Sequence, residues 1–265
     1  MHARLVAIFA LVAASTAGAQ DAKVWYVPTT AHYKITTVQK SSQEMNGQKQ
    51  EFEVTGEQKV SVVLASSKKD SLDLTIVLDS MKMSASIPGA PDPTKLVGMK
   101  LNGVMSPFGV MYASKVTGAD GAEIKNQQTE GMRRFLPHLP PVLKMGATWT
   151  DSTSGTMPAA NGAELNRSAV VTYLVTGDTT VAGEKAWRIA VASKAKITGK
   201  GQQMGTDFTI DGGSIGAGTT YVSSKGVYLG MNAVDNQDLI VTVEAAGLII
   251  PVKTTTNTKV EKITN

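Results

Sequence analysis

The stretch Ser71-Leu72-Asp73-Leu74-Thr75-Ile76-Val77-Leu78 decides the fold. Leu72, Leu74, Ile76 and Leu78 share one parity, while Ser71, Asp73, Thr75 and Val77 share the other. Successive side chains of a strand point to opposite faces, so a period of two predicts a half-buried strand. The same pattern recurs in Val60, Val62 and Leu64, in Trp187, Ile189 and Val191, in Leu239, Val241 and Val243, and in Leu248, Ile250 and Val252. Threonine, valine and isoleucine are abundant throughout and fit a pleated surface. Asn46-Gly47, Asn102-Gly103, Asp120-Gly121, Asn161-Gly162 and Asp211-Gly212 read as tight turns. Both residue types in each pair tolerate the positive φ of two-residue hairpins. The expectation is a mainly β protein: one highly curved antiparallel sheet, a half-barrel or incomplete barrel. Pro251 has no N–H for a ladder and is expected at an edge or a bulge. Residues 253–263 read as a long, polar-faced final strand, placed at an edge.

Two stretches interrupt the alternation. Residues 91–101 predict a short helix after Pro93. Residues 126–136 predict another, with Met132, Phe135 and Leu136 on one side and a stop at Pro137. Next comes the apolar, rigid Phe135-Leu136-Pro137-His138-Leu139-Pro140-Pro141, whose three prolines exclude a regular helix or central strand. It is expected to be a proline-rich connector packed across the sheet. Ser106-Pro107-Phe108-Gly109-Val110-Met111 resembles Ser223-Ser224-Lys225-Gly226-Val227-Tyr228. A single β-rich domain is expected over residues 20–265, and the repeat divides it into two related meanders joined near residues 127–146.

The start of the chain has the order of an export signal. Met1-His2-Ala3-Arg4 is basic, residues 5–14 are apolar, and Ser15-Thr16-Ala17-Gly18-Ala19 supplies small residues with Ala17 and Ala19 suited to a cleavage site. Residues 1–19 are therefore expected to be a signal peptide, cleaved near Ala19, and the mature chain to be periplasmic or secreted. No later segment reaches membrane-spanning length, so no transmembrane segment is expected in the mature chain. The sequence has no cysteine, which excludes disulfides, thiolate metal sites and a cysteine nucleophile. Stability then rests on the apolar core. The net charge of +4 comes from scattered lysines, with tight basic pairs only at Lys68-Lys69 and Arg133-Arg134. Scattered charge is no nucleic-acid footprint, and no nucleic-acid partner is expected.

Catalytic chemistry has little to stand on. Beyond the expected signal peptide the histidines are His32 and His138, and there is no G-x-S-x-G elbow. His138 is a weak candidate base for a hydrolase, and His32 is expected on the surface. The aspartates, among them Asp151, Asp207 and Asp235, are dispersed rather than paired. Asp235-Asn236-Gln237-Asp238 lacks the spacing and glycine of a calcium loop. Gly212-Gly213-Ser214-Ile215-Gly216-Ala217-Gly218 is flanked by strands rather than by a helix. It reads as a hairpin loop or a thin place where another segment passes, not as a phosphate loop. No cofactor and no metal are expected. Methionine is the suggestive feature, with twelve against five phenylalanines in the whole chain. Flexible thioethers fill core gaps or line cavities for variable apolar shapes.

The connector, followed by Gly146-Ala147-Thr148-Trp149, resembles a pattern in uncharacterised bacterial envelope proteins: an F-x-P-x-L-P-like stretch, then G-x-x-W and a second set of strands. Their layout is similar to the periplasmic lipoprotein-carrier superfamily. That resemblance implies a curved antiparallel sheet cupping an apolar ligand, with short helices across its mouth, and it transfers no catalytic residue. The expected function is a non-catalytic exported protein that binds or carries a lipid-like ligand. Met81, Met83, Met105, Phe108, Met111, Phe135 and Leu139 would then line its cavity. The alternative is a structural or protein-interaction component of the cell envelope, with no cavity and with a protein partner.

Overall fold

The computed structural model describes residues 23–45, 47–68, 70–85, 92–118, 125–158, 164–203 and 205–264. The expected signal peptide lies outside the described residues, as do Asp120-Gly121 and Asn161-Gly162. The alternating runs form eleven strands: β1 (Thr29–Met45), β2 (Gln48–Ser66), β3 (Leu72–Ala85), β4 (Lys100–Met105), β5 (Met111–Thr117), β6 (Thr148–Pro158), β7 (Glu164–Val181), β8 (Glu184–Gln203), β9 (Thr206–Ser223), β10 (Tyr228–Val243) and β11 (Leu248–Ile263). All join one antiparallel sheet in the order β5-β4-β3-β2-β1-β11-β10-β9-β8-β7-β6. The first strand therefore lies inside the sheet, and β1 to β5 run outward to one edge. A crossing segment carries the chain to the opposite edge, and β6 to β11 return to β1. β5 and β6 do not pair with each other, so the curved sheet is a half-barrel and not a closed barrel.

The last strand is not at an edge. β11 pairs with β10 on one side and with β1 on the other, from His32 opposite Ile263 to Gln43 opposite Val252. The returning meander docks its final strand on β1, and the polar residues of 253–263 mark the solvent face of an inner strand. Pro251 lies one position past the β1 ladder, where β11 has only β10 beside it and Ile240 opposite. A missing N–H there costs no bond to β1.

Two expected turns are strand interiors. Asn102-Gly103 lies within β4 and Asp211-Gly212 within β9. Glycine serves close approach at both places. A Cβ on Gly103 would lie 2.8 Å from the Met111 sulfur, and one on Gly212 would collide with the Asp238 carbonyl oxygen. Gly212, Ser214, Gly216 and Gly218 lie on one face of β9, so the thin-place reading holds and the hairpin-loop reading does not. A tight hairpin that the Asn-Gly and Asp-Gly signals miss joins β7 to β8 at Ala182-Gly183, with φ of 48° and 81°.

The two similar serine-led segments adopt the same loop. Ser106 N–H donates to the Val110 carbonyl at 2.8 Å, and Ser223 N–H donates to the Val227 carbonyl at 2.8 Å. Each serine Oγ accepts two backbone N–H groups, from Phe108 and Val110 in one loop and from Lys225 and Val227 in the other. The first described segment runs past both loops. Tyr26 N–H donates to the Pro107 carbonyl, and the Trp25 carbonyl packs where a Cβ of Gly226 would stand.

The helical expectations contract. Pro93–Leu96 is a single 3-10 turn capped by Asp92, whose Oδ1 accepts the Thr94 N–H at 2.9 Å. Helix α1 covers Lys125–Arg133 and ends before the connector. The residue ahead of Pro137 is pushed out of helical geometry, which shortens the expected 126–136 helix. Connector and sheet share one core. Leu139, Leu143 and Met132 are buried with Tyr26, Tyr33, Ile76, Leu78, Leu101, Met105, Ile189 and Val222. The alternation that predicted β3 is confirmed by burial, since Leu72, Leu74, Ile76 and Leu78 are all in this core.

Candidate ligand cleft

The central strands and α1 enclose a cleft of about 240 Å³. Its floor is Ile35 of β1, Val60 of β2, Ile76 of β3, Tyr228 and Met231 of β10, and Thr258 and Val260 of β11. Register explains the convergence. Gln58, Ile35, Val260 and Met231 stand side by side across four neighbouring strands on one face. The roof is Gln128, Gly131, Met132 and Arg134 from α1 and the residue after it, with Phe135 from the connector.

The Phe135 side is aromatic. Its ring meets Tyr33 edge-on at 5.1 Å and Tyr228 edge-on at 5.4 Å, and the two tyrosine rings are 5.5 Å apart. Tyr33 donates its hydroxyl to the Tyr228 carbonyl at 2.8 Å. Burial pushes both phenols well above the ordinary tyrosine range, so at neutral pH they are hydrogen-bond donors and not bases.

The rim is polar. The amides of Gln58 and Gln128 exchange hydrogen bonds at 3.0 and 3.4 Å, tying β2 to α1. Arg134 donates to Thr153 Oγ1 of β6 at 2.9 Å, and Arg133 donates to Ser114 Oγ of β5 at 3.1 Å. Glu130 meets Arg133 at 2.6 Å and Arg134 at 3.7 Å. The last turn of α1 and the residue after it thus hold both free edges of the half-barrel. The cleft is an apolar slot with a guanidinium and two amides at its mouth.

Of the seven residues expected to line a cavity, Met81, Met105, Met111, Phe135 and Leu139 belong to one apolar core. Phe135 lines the cleft. Met81 is buried in the core on the strand position opposite Gln58. Met105 and Leu139 are fully buried, and Met111 packs half-buried against the same core. Phe108 sits in the first serine loop, where its carbonyl accepts the Leu139 N–H at 2.7 Å. Met83 is 39% exposed, near the outer end of β3. Sequence reasoning missed Gln58, Gln128, Arg134, Met231 and Val260. One signal was available, the adjacent Arg133-Arg134 pair just ahead of the prolines.

His138 is half-buried beside the cleft rather than in its lining, and its carbonyl accepts the Trp149 indole N–H at 2.9 Å. His32 Nδ1 lies 2.9 Å from Ser61 Oγ, which donates to Asp79 at 2.6 Å. Serine is the middle member of that chain, whereas a hydrolytic triad needs histidine between serine and carboxylate. Among the described residues, no three His, Asp or Glu side chains are grouped to hold a metal ion. No helix among them is long and apolar enough to cross a membrane.

No protein-family model matches the chain, and no curated protein matches it. Among solved structures the chain is similar to OccK2 (OpdF) of Pseudomonas aeruginosa, at 7% identity and a TM-score of 0.35, over 92% of this chain and 100% of that one. It is also similar to OccK7 (OpdD) of the same organism, at 7% identity and a TM-score of 0.30, over 88% and 99% of the two chains. A DUF1329 family protein from Desulfovibrio piger is similar at 11% identity and a TM-score of 0.22, over 88% of this chain and 86% of that one. Likenesses at this level assign neither family nor activity.

Proposed function

We propose that the protein is an exported, non-catalytic protein of the bacterial envelope that binds a single apolar, lipid-like chain in the cleft beneath α1. The observation that supports this is the slot itself, with apolar side chains from β1, β2, β3, β10 and β11 facing Met132 and Phe135. Pockets for compact small molecules run to roughly 300–1,000 Å³. At about 240 Å³ this cleft suits one slender chain better than a fused-ring ligand. The test is native mass spectrometry of protein purified from its own host, paired with displacement of a fluorescent apolar probe. The expected result is a bound chain-like species, and loss of probe binding when Met231→Trp fills the slot. A ligand-free protein that ignores the probe sinks this reading.

A second reading is supported by a different surface. The β10–β11 hairpin carries Leu239, Val241, Ile250 and Val252 on its inner face, while Ile240 and Ile249 stand 50% and 69% exposed on the outer face. Such a tip fits an envelope protein that docks to a partner. Cross-linking from Ile249→Cys in the native envelope tests it, and the absence of any adduct argues against it.

A further inference from the structure

We propose that the cleft takes an amphiphile with an anionic head, its charge held between Arg134 and Arg167 while its chain lies under α1. This rests on the cleft reading and names the class of ligand. Arg134 lines the mouth of the slot and reaches Thr153 on β6. Thr153 stands opposite Ala169 on β7, and Arg167 is two residues along β7 from Ala169, on the same face. Arg134, reaching β6, and Arg167 on β7 therefore face the same inner surface, and the charge of one acts on the other.

Arg167 is half-buried and makes no hydrogen bond or ion pair within contact distance among the described residues. Burial first, and then the like charge of Arg134, disfavour its charged form, while Asp235 favours it. Three acids face this surface: Glu130 of α1, Asp151 of β6, two residues from Thr153 on the same face, and Asp235 of β10. Glu130 is engaged at 2.6 Å by Arg133 and stands 3.7 Å from Arg134. Asp235, on β10, acts on Arg167 without an ion pair between them. Arg134 at the mouth of the apolar slot, with Arg167 beyond it on β7 and without a hydrogen-bonding partner among the described residues, offers forked donors to a carboxylate or phosphate at the end of a hydrocarbon chain. Arginine forks recognise either oxyanion, so the head is defined by its charge and its oxygens.

The test uses the full chain, a fluorescent apolar probe, and three competitors: palmitate, cetyl alcohol and inorganic phosphate. A charge-assisted contact is expected to make palmitate bind roughly tenfold tighter than the uncharged alcohol. Arg167→Gln is expected to erase that difference and leave alcohol binding unchanged, while Arg167→Lys keeps part of it. Arg167 is the chosen position because Arg134 also holds β6, and circular dichroism confirms that the variants fold. Equal binding of palmitate and alcohol by the natural chain overturns the anionic head and leaves the apolar cleft standing. Displacement of palmitate by phosphate alone shows a free-anion site and overturns the amphiphile. Binding of neither chain overturns the cleft reading, and this inference with it.

Discussion

Tyr33, in a central strand, and Phe135, in the connector, meet edge to face with ring centroids 5.1 Å apart. Through this contact the segment that crosses the half-barrel is fixed to the strand on which the sheet is built. Phe135→Ala removes the ring from both Tyr33 and Tyr228. Truncating a buried phenylalanine costs about 3–5 kcal/mol, and Phe135 is only partly buried, so the lower end applies. Urea unfolding should show a loss of about 3 kcal/mol, and an unchanged midpoint would mean that the connector is not docked.

Tyr33→Phe keeps the ring and deletes the hydroxyl that donates to the Tyr228 carbonyl. A buried acceptor then loses its partner, at a cost of about 1–2 kcal/mol. The expected signature is a lowered melting temperature with intact probe binding, because the hydroxyl does not line the slot. Calorimetry beside a displacement assay separates the two.

Gly226 and Gly183 have the same sign and nearly the same size of φ, 79° and 81°. They differ in surroundings. A Cβ at Gly183 meets nothing within 4 Å, whereas one at Gly226 collides with the Trp25 carbonyl. Gly183→Ala should cost about 1–2 kcal/mol, the left-handed penalty alone. Gly226→Ala should cost more and release the Val24 to Tyr26 segment to proteolysis. Equal effects would show that this segment does not pack against the second serine loop.

Alkaline pH should unfold the protein steeply. Burial raises Tyr26, Tyr33 and Tyr228 well above the ordinary tyrosine value, and pushes Tyr173 up to about 12. Above about pH 10 the unfolded chain releases these protons while the native chain keeps them. The unfolded state then binds fewer protons, and stability falls with rising pH. The stabilisation is complete below pH 10 and is lost progressively from there toward pH 12. Tyrosinate absorbance of these four residues should rise together with the loss of circular dichroism, and gradual ionisation ahead of unfolding would contradict their burial.

Much of the sheet was legible in single residues. Ile76 and Leu78 announce their burial by parity alone, because a strand face repeats every second position. The strand order was not legible. Nothing in residues 253–263 says that Val260 will stand beside Ile35, since pairing partners far apart in the chain leave no local trace. The glycines misled for a physical reason. Gly103 and Gly212 satisfy the same composition rule as a turn but serve close approach inside strands. The site was harder still. Phe135 was legible because prolines fix its neighbours. Gln58, Val260 and Met231 were not, because they converge only through register. Methionine content pointed to the core, where Met99, Met105 and Met132 are buried, more than to the cleft.

The partnership of β1 with β11 has a consequence for how the molecule comes into being. During synthesis β1 has β2 on one flank and a bare row of amides on the other until the last strand emerges. Every earlier hairpin closes locally, but this seam joins opposite ends of the polypeptide, the slowest kind of contact to form. Two half-sheets must wait for it, with sticky flanks exposed to neighbours. A contact that shields the open flank of β1 until β11 arrives would be rewarded, and trimming β11 should leave two aggregation-prone halves rather than a slightly smaller protein.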